Sequence, residues 1–347
     1  MIPKERIHVG PLEIVRTDEQ LTFTVDASCC KLRQPDGSIH FWTTDLGELP
    51  YHHHFRGTAE DPFAEELEPF EWDYNGYPDE WPRGVWVQSF YKCDDGMLIG
   101  FIHREDLIHN SNTYPHSYFI GFGVSHDGGK HWKYLGDVCG NVCNFTGFYS
   151  NMKGVPYFAA KDGYFYFMFN DFLPNRFTFV TAARVPMDEA IECIRQGKLP
   201  SVKKYSGNGV WDTDPMKGTG APILPEEYGD RFFNSHSDAA YCSAIDKYIL
   251  VLQTLEPHPD RHDANQVVLF FSDDCTKWEG PLCIDAIPEE DIPREYCAYS
   301  MIVGLDNEAS DDFSTIGHEF YVYFSHKSLI DYPVDTYCRR KITIDRA

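Results

Sequence analysis

The sequence predicts an all-β fold: a five-bladed β-propeller with one short helix and long insertions, formed by residues 1–347 as one domain. Three observations predict it. An apolar–turn–apolar unit recurs five times along the chain, a helical pattern occurs in one stretch only, and 347 residues exceed what one compact core holds. Single cores stop growing near ~250–300 residues, whereas repeats escape that limit because each unit packs only on its neighbours.

The five copies span residues 26–45, 86–106, 155–171, 238–254 and 296–328. Each reads as a β-hairpin. Asp36-Gly37, Asp95-Gly96 and Asp162-Gly163 supply turn pairs of the kind favoured where φ is positive. The flanking runs are apolar at successive positions, as expected of strands covered on both faces. A third strand follows four copies, at 118–125, 177–185, 267–272 and 341–344. The first copy shows none, so residues 48–83 read as a functional insertion. The N-terminal stretch 7–15 is expected to complete the last blade and close the ring. The helix is expected over 187–198, with early acids and Gly197 near its end.

Charge narrows the partners. The chain carries 54 Asp and Glu against 30 Lys and Arg, a formal net charge of −24. Such a surface repels nucleic acid and anionic membranes and suits a neutral or cationic substrate. No stretch approaches the ~18 apolar residues needed to span a bilayer. The 11 cysteines lack zinc-site spacing and read as buried thiols. With no apolar run of signal-peptide length at the start, this points to the cytoplasm, unless a leader has been removed.

Two segments carry a turn signature. SHDGGKHW (125–132) fits S-x-D-x-G-x-x-W, and SDDCTKW (272–278) is a shorter relative. In such a turn Asp accepts backbone N–H bonds and Trp plugs between strands, a structural job. The first resembles the Asp-box of sialidase-like propellers, the second the form in arabinanase-like propellers. Asp26-Ala-Ser, Asp36-Gly37 and Phe41-Trp42 together resemble the opening blade of five-bladed glycoside hydrolases, a group that includes arabinanases and xylosidases. The resemblance implies that Asp26 is a catalytic base. No F/Y-R-I-P segment and no set of three arginines accompanies the Asp-box, so sialidase activity is not implied.

Propeller geometry places candidate residues. The start of a hairpin's first strand and the end of its second share one rim. That rim collects Asp26, Trp86, Pro156, Asp238 and Tyr296 from strand starts, and Asp45, Arg104, Glu105, Asp171 and Lys327 among the strand ends. Five acids from four blades are therefore expected to converge on one funnel. Converging carboxylates repel one another and call for a reason such as catalysis. Glycoside hydrolysis supplies one, since it uses one ionised and one protonated carboxyl about 5–9.5 Å apart. Asp26 is expected as base or nucleophile and Glu105 as acid, with Asp238 next in line for the acid role. Asp45 and Asp171 would tune these groups or bind hydroxyls. His54, Arg56, Trp86, Arg104 and Trp211 are further substrate-binding candidates. Residues 52–54 are three consecutive histidines, but neighbours on a strand point to opposite sides, so no metal site is expected there. No cofactor is called for, though the acidic face leaves room for a structural cation such as calcium.

The expected function is cleavage of a glycosidic bond in an oligo- or polysaccharide, with arabinofuranoside-type or related plant or microbial glycans implied by the resemblance. Two alternatives stay open: a non-catalytic carbohydrate-binding propeller, and a phosphorolytic enzyme using Arg104, Arg56 and Lys327.

Overall fold

A computed structural model of the chain describes residues 4–17, 19–21, 23, 25–45, 51–74, 83–106, 117–140, 157–171, 179–226, 232–234, 236–258, 261–287, 295–328 and 335–346. The strands form five separate sheets, one for each repeat. Blade one holds Cys30–Arg33, Ile39–Asp45, Tyr51–Gly57 and Glu65–Glu66, in that order outward from the axis. Blade two holds Arg83–Lys92, Leu98–Asp106, Ser117–Ser125 and His131–Cys139. Blade three runs Tyr157–Ala159, Tyr164–Asp171, Phe179–Pro186 and Lys203–Lys204. Blade four runs Ala239–Cys242, Lys247–His258, Arg261–Ser272 and Trp278–Ala286. Blade five holds Glu295–Gly304, Glu319–Ser328 and Asp335–Ile344, and Ile7–Arg16 adds its outermost strand antiparallel to Asp335–Ile344. The two ends of the chain thus close the ring in one sheet, as expected. The helix spans Met187–Arg195.

Alternation explains why the strands are apolar throughout. Phe165, Phe167 and Phe169 pack toward blade two, while Tyr166 and Met168, between them in sequence, pack toward blade four. Ile249 and Val251 face blade five; Leu250 and Leu252 face blade three. Among the described residues, five hydrophobic clusters result, each shared by two neighbouring blades, including one that joins blade five to blade one. Stability therefore resides between blades, and truncating a buried ring such as Phe167 to alanine costs about 3–5 kcal/mol.

The turns follow their sequences. Gly37, Gly96 and Gly163 have φ of 86°, 86° and 81°, a region that disfavours any side chain. At 125–132, Asp127 Oδ1 accepts N–H bonds from Lys130 (3.2 Å) and His131 (3.0 Å), and Trp132 is buried with its indole N–H on Gly129 O (3.1 Å). At 272–278, Asp274 accepts from Thr276 and Lys277, both at 2.9 Å, and Trp278 is buried.

Blade one departs from expectation. Tyr51–Gly57 lies inside the stretch read as an insertion, yet pairs in register with Ile39–Asp45 as a regular third strand. The sequence hid it because three of its residues are histidines. They are buried: His54 stacks on Trp42 at 4.6 Å and contacts His40 at 3.0 Å, and His52 contacts Thr44 at 3.2 Å. The same stretch then sends Glu71–Asp73 to the outer edge of blade two, where it pairs parallel to His131–Cys139 and joins the two blades.

Candidate active site

Asp26 begins the inner hairpin of blade one. Its N–H donates to Thr44 O at 2.9 Å, and the neighbouring Val25 forms a lone antiparallel bridge with Asp45. The partly exposed Asp26 carboxylate is gripped from two other blades. Trp86 of blade two donates its indole N–H to Oδ2 at 3.2 Å, and Tyr299 of blade five donates its hydroxyl to Oδ1 at 2.7 Å.

The site continues as a closed circle. Trp86 faces His103, its partner across the hairpin, with ring centres 5.4 Å apart. His103 meets His236, from the lead-in to blade four, edge to face at 4.9 Å. His236 meets Tyr299 at 5.5 Å, and Tyr299 returns to Asp26. Glu105 attaches to this circle through His103, whose Nε2 lies 2.9 Å from its carboxylate oxygen. His103 and Glu105 are two apart on one strand and so share a face. The two atoms lie within hydrogen-bond distance. Either group can donate the hydrogen bond, depending on which of them is protonated. Lys327 adds a cation 5.1 Å from the Tyr299 ring.

Tyr299 reaches Asp26 through an unusual backbone. Its φ is 54°, and the register of its strand slips between Ala298 and Met301. A bulky residue in the left-handed region is an outlier that persists only where surroundings enforce it, and such strain concentrates at functional sites. A second slip, between Val87 and Ser89, follows Trp86. Bulges of this kind re-aim side chains.

The expected funnel of five acids is only partly present. Asp26, Asp45 and Glu105 keep some exposure, with the side chains of Asp45 at 26% and Glu105 at 19%. Asp238 and Asp171 do not. Asp238 is buried, ion-paired with Lys31 of blade one and accepting N–H bonds from Ile302 (2.7 Å) and Ala239 (2.8 Å). It joins blades one, four and five at the axis. A small cleft beyond it is lined by Lys31, Ser89, Tyr157, Asp238, Asp312 and Ser314, and Asp26 does not reach it. Asp171 is fully buried with Lys204, whose Nζ lies 3.1 Å away, and accepts the Gly220 N–H at 2.9 Å. Both carboxylates are consumed by charge pairing.

Four other candidates also sit elsewhere. Arg104 occupies the opposite face of its strand from His103 and Glu105, forked onto Asp137 at 2.8 and 2.6 Å and stacked over Phe119. His54 is core, as described. Arg56 pairs with Glu65 at the outer edge of blade one. Trp211 packs against Tyr166, Tyr205 and Arg184 on blade three. Trp86 is the candidate whose side chain touches Asp26. The three histidines do not converge: His52, His53 and His54 contact Thr44, Glu66 and His40 respectively. Pro156 lies outside the described residues, as does the side chain of Tyr296.

Sequence reasoning missed His103, His236 and Tyr299 as site residues. His103 was within reach, since it shares a face with Glu105. Tyr299 had no readable signal, because a register slip decides its direction.

No protein-family profile matches the chain, and no curated protein sequence does either. Solved structures do. An arabinanase of Bacillus subtilis superposes with a TM-score of 0.52 at 10% identity, covering 97% of this chain and 96% of that one. The fold is that of the five-bladed arabinanase-type propellers. The catalytic domain of an α-L-arabinofuranosidase from Coprinopsis cinerea gives 0.52 at 8% identity, with 97% and 96% covered. A GH43_1 enzyme of Xanthomonas citri, complexed with xylose, gives 0.51 at 12% identity, with 96% and 90% covered. At such identities the likeness concerns the propeller, and the chemistry has to be argued from the side chains.

Proposed function

We propose that the chain is a glycoside hydrolase acting at the Asp26 circle, with Asp26 as base or nucleophile and Glu105 as general acid. The observation that carries this reading is the grip on Asp26. Both of its oxygens accept hydrogen bonds from neutral donors on other blades, which suits a carboxylate that stays ionised and acceptor-only. Glu105 has a different environment, partly exposed and within hydrogen-bond distance of the His103 ring at 2.9 Å. Two carboxyls in contrasting surroundings are what acid–base cleavage of a glycoside uses. Tyr299 is partly exposed and offers a flat face to a sugar ring, while Trp86, His103 and His236 are buried and back the site from behind. Arabinofuranoside-type linkages lead the substrate list, because the similar structures include an arabinanase and an arabinofuranosidase. Phosphorolysis is less favoured, since Arg104 and Arg56 are engaged by Asp137 and Glu65, leaving Lys327 as the basic candidate beside the circle.

The test is a screen of aryl glycosides and plant or microbial polysaccharides, with Asp26→Asn as control. Turnover that falls by orders of magnitude in a folded Asp26→Asn protein supports the assignment. The partly exposed Tyr299 ring beside the Asp26 carboxylate also fits a binding module. Saturable sugar binding without turnover in the wild-type protein would establish that reading instead.

A further inference from the structure

We propose that Asp285, Cys297 and His326 form a site for a zinc-class divalent cation that ties blade four to blade five. The three residues lie on three strands: Asp285 on the outermost strand of blade four, Cys297 and His326 on the two inner strands of blade five. Cys297 and His326 are direct cross-strand partners. One ligand atom from each of the three lies within 4.8 Å of the others, and Asp285 Oδ2 is 3.0 Å from His326 Nε2. Zinc binds thiolate at ~2.3 Å and imidazole or carboxylate at ~2.0–2.2 Å, so tetrahedral ligands stand about 3.3–3.8 Å apart. The trio needs only small adjustments to reach that spacing.

The surroundings match a metal centre in two ways. Asp285 is oriented by a second residue: Arg340 donates from Nε and Nη2 to Oδ1 at 2.8 and 2.7 Å, which leaves Oδ2 toward His326. Ligating carboxylates are commonly held by such outer partners. Burial is graded as well. Asp285 and Cys297 are enclosed, whereas the His326 side chain is 16% exposed, giving one open side where water would complete the coordination. Thiolate with imidazole selects zinc over the hard cations calcium and magnesium. The sequence showed no zinc spacing because the ligands meet only when two blades pack.

Position gives the site a consequence. Cys297 precedes Tyr299 by two residues, and His326 adjoins Lys327, whose ammonium lies by the Tyr299 ring. A bound ion would brace the strand pair that carries the Asp26 partner. The site itself stands whether or not Asp26 is catalytic.

The experiment starts with the full-length protein stripped by chelator. Titration with zinc chloride against a chromophoric chelator is expected to show one site per chain, and zinc is expected to raise Tm. Cobalt(II) in place of zinc should give a thiolate-to-metal charge-transfer band. Cys297→Ala and His326→Ala should each weaken binding at least tenfold. Cys283→Ala, which removes the exposed thiol near Asp285, should leave it unchanged. Absence of the cobalt band in the wild-type protein would overturn the proposal even if the variants fail to fold. So would zinc affinity unaltered by Cys297→Ala.

Discussion

The Tyr299 hydroxyl donates to Asp26 Oδ1 at 2.7 Å across the junction where blade five meets blade one. The bond joins the last blade to the first, and it depends on a tyrosine held at φ 54°. Hydrogen bonds to charged groups contribute about 1.5–3 kcal/mol. Tyr299→Phe is therefore expected to lower kcat about tenfold to a hundredfold on whichever glycoside is turned over, with KM little changed. A KM effect alone would make Tyr299 a substrate contact and not a positioning residue for Asp26.

Glu105 and His103 should fail differently from Asp26. Activated aryl leaving groups need little protonation, so Glu105→Gln is expected to spare them and to slow poor leaving groups by orders of magnitude. His103→Phe keeps the ring and removes the proton partner, and should show the same leaving-group dependence in weaker form. Rates on a series of aryl glycosides of graded leaving-group pKa decide this. A uniform loss across the series would take the acid role away from Glu105.

Lys31 and Asp238 form the buried pair at the axis, so their substitutions should act on stability before chemistry. Lys31→Met leaves a buried carboxylate without its counter-charge and is expected to cost about 3–5 kcal/mol. Adding Asp238→Asn removes that charge while keeping an acceptor for the Ile302 or Ala239 N–H, and should restore at least half of the loss. Chemical denaturation of the two single variants and the double variant measures the coupling. Additive losses would mean that the pair does not act as a unit.

Acid should loosen blade one through its histidines. Burial, assisted by the neighbouring His53, lowers the His52 pKa to about 3; burial, assisted by His40, lowers that of His54 to about 4. In the unfolded chain both titrate near ~6.5. Between those limits the unfolded state binds more protons, so stability is complete above about pH 6.5 and falls as pH drops toward 4. Each histidine contributes at most about 1.4 kcal/mol per pH unit in that window. Urea midpoints at pH 7, 6 and 5 should decline, and His52→Gln should flatten the decline by about one proton. An unaltered slope in His52→Gln would place the proton uptake elsewhere.

Much of the architecture was legible because its signals are local. Strand alternation, Asp-Gly turns at 36–37, 95–96 and 162–163, and the recurrence of hairpins all lie within a few dozen residues. Tyr51–Gly57 escaped because buried histidines read as polar when their partners, Trp42, His40 and Thr44, are not yet in view. At the site, Asp26, Trp86 and Glu105 were reachable from their places at strand ends, whereas the fates of Asp171 and Asp238 were not. An acid at a strand end looks the same in sequence whether it faces solvent or a lysine from another strand.

The sequence by itself determined how many blades form, where each hairpin turns and which strand closes the ring, since these follow from patterns that repeat within each unit. The tertiary structure alone decided which carboxylates stay open. Lys31 reaches Asp238 from blade one to blade four, Lys204 reaches Asp171 within blade three, and Trp86 and Tyr299 reach Asp26 from either side. All of these pairings join chain segments far apart in sequence, and the strands that carry Tyr299 and Trp86 each contain a one-residue register slip. Local periodicity sets the faces of a strand; packing against a neighbour sets what each face meets.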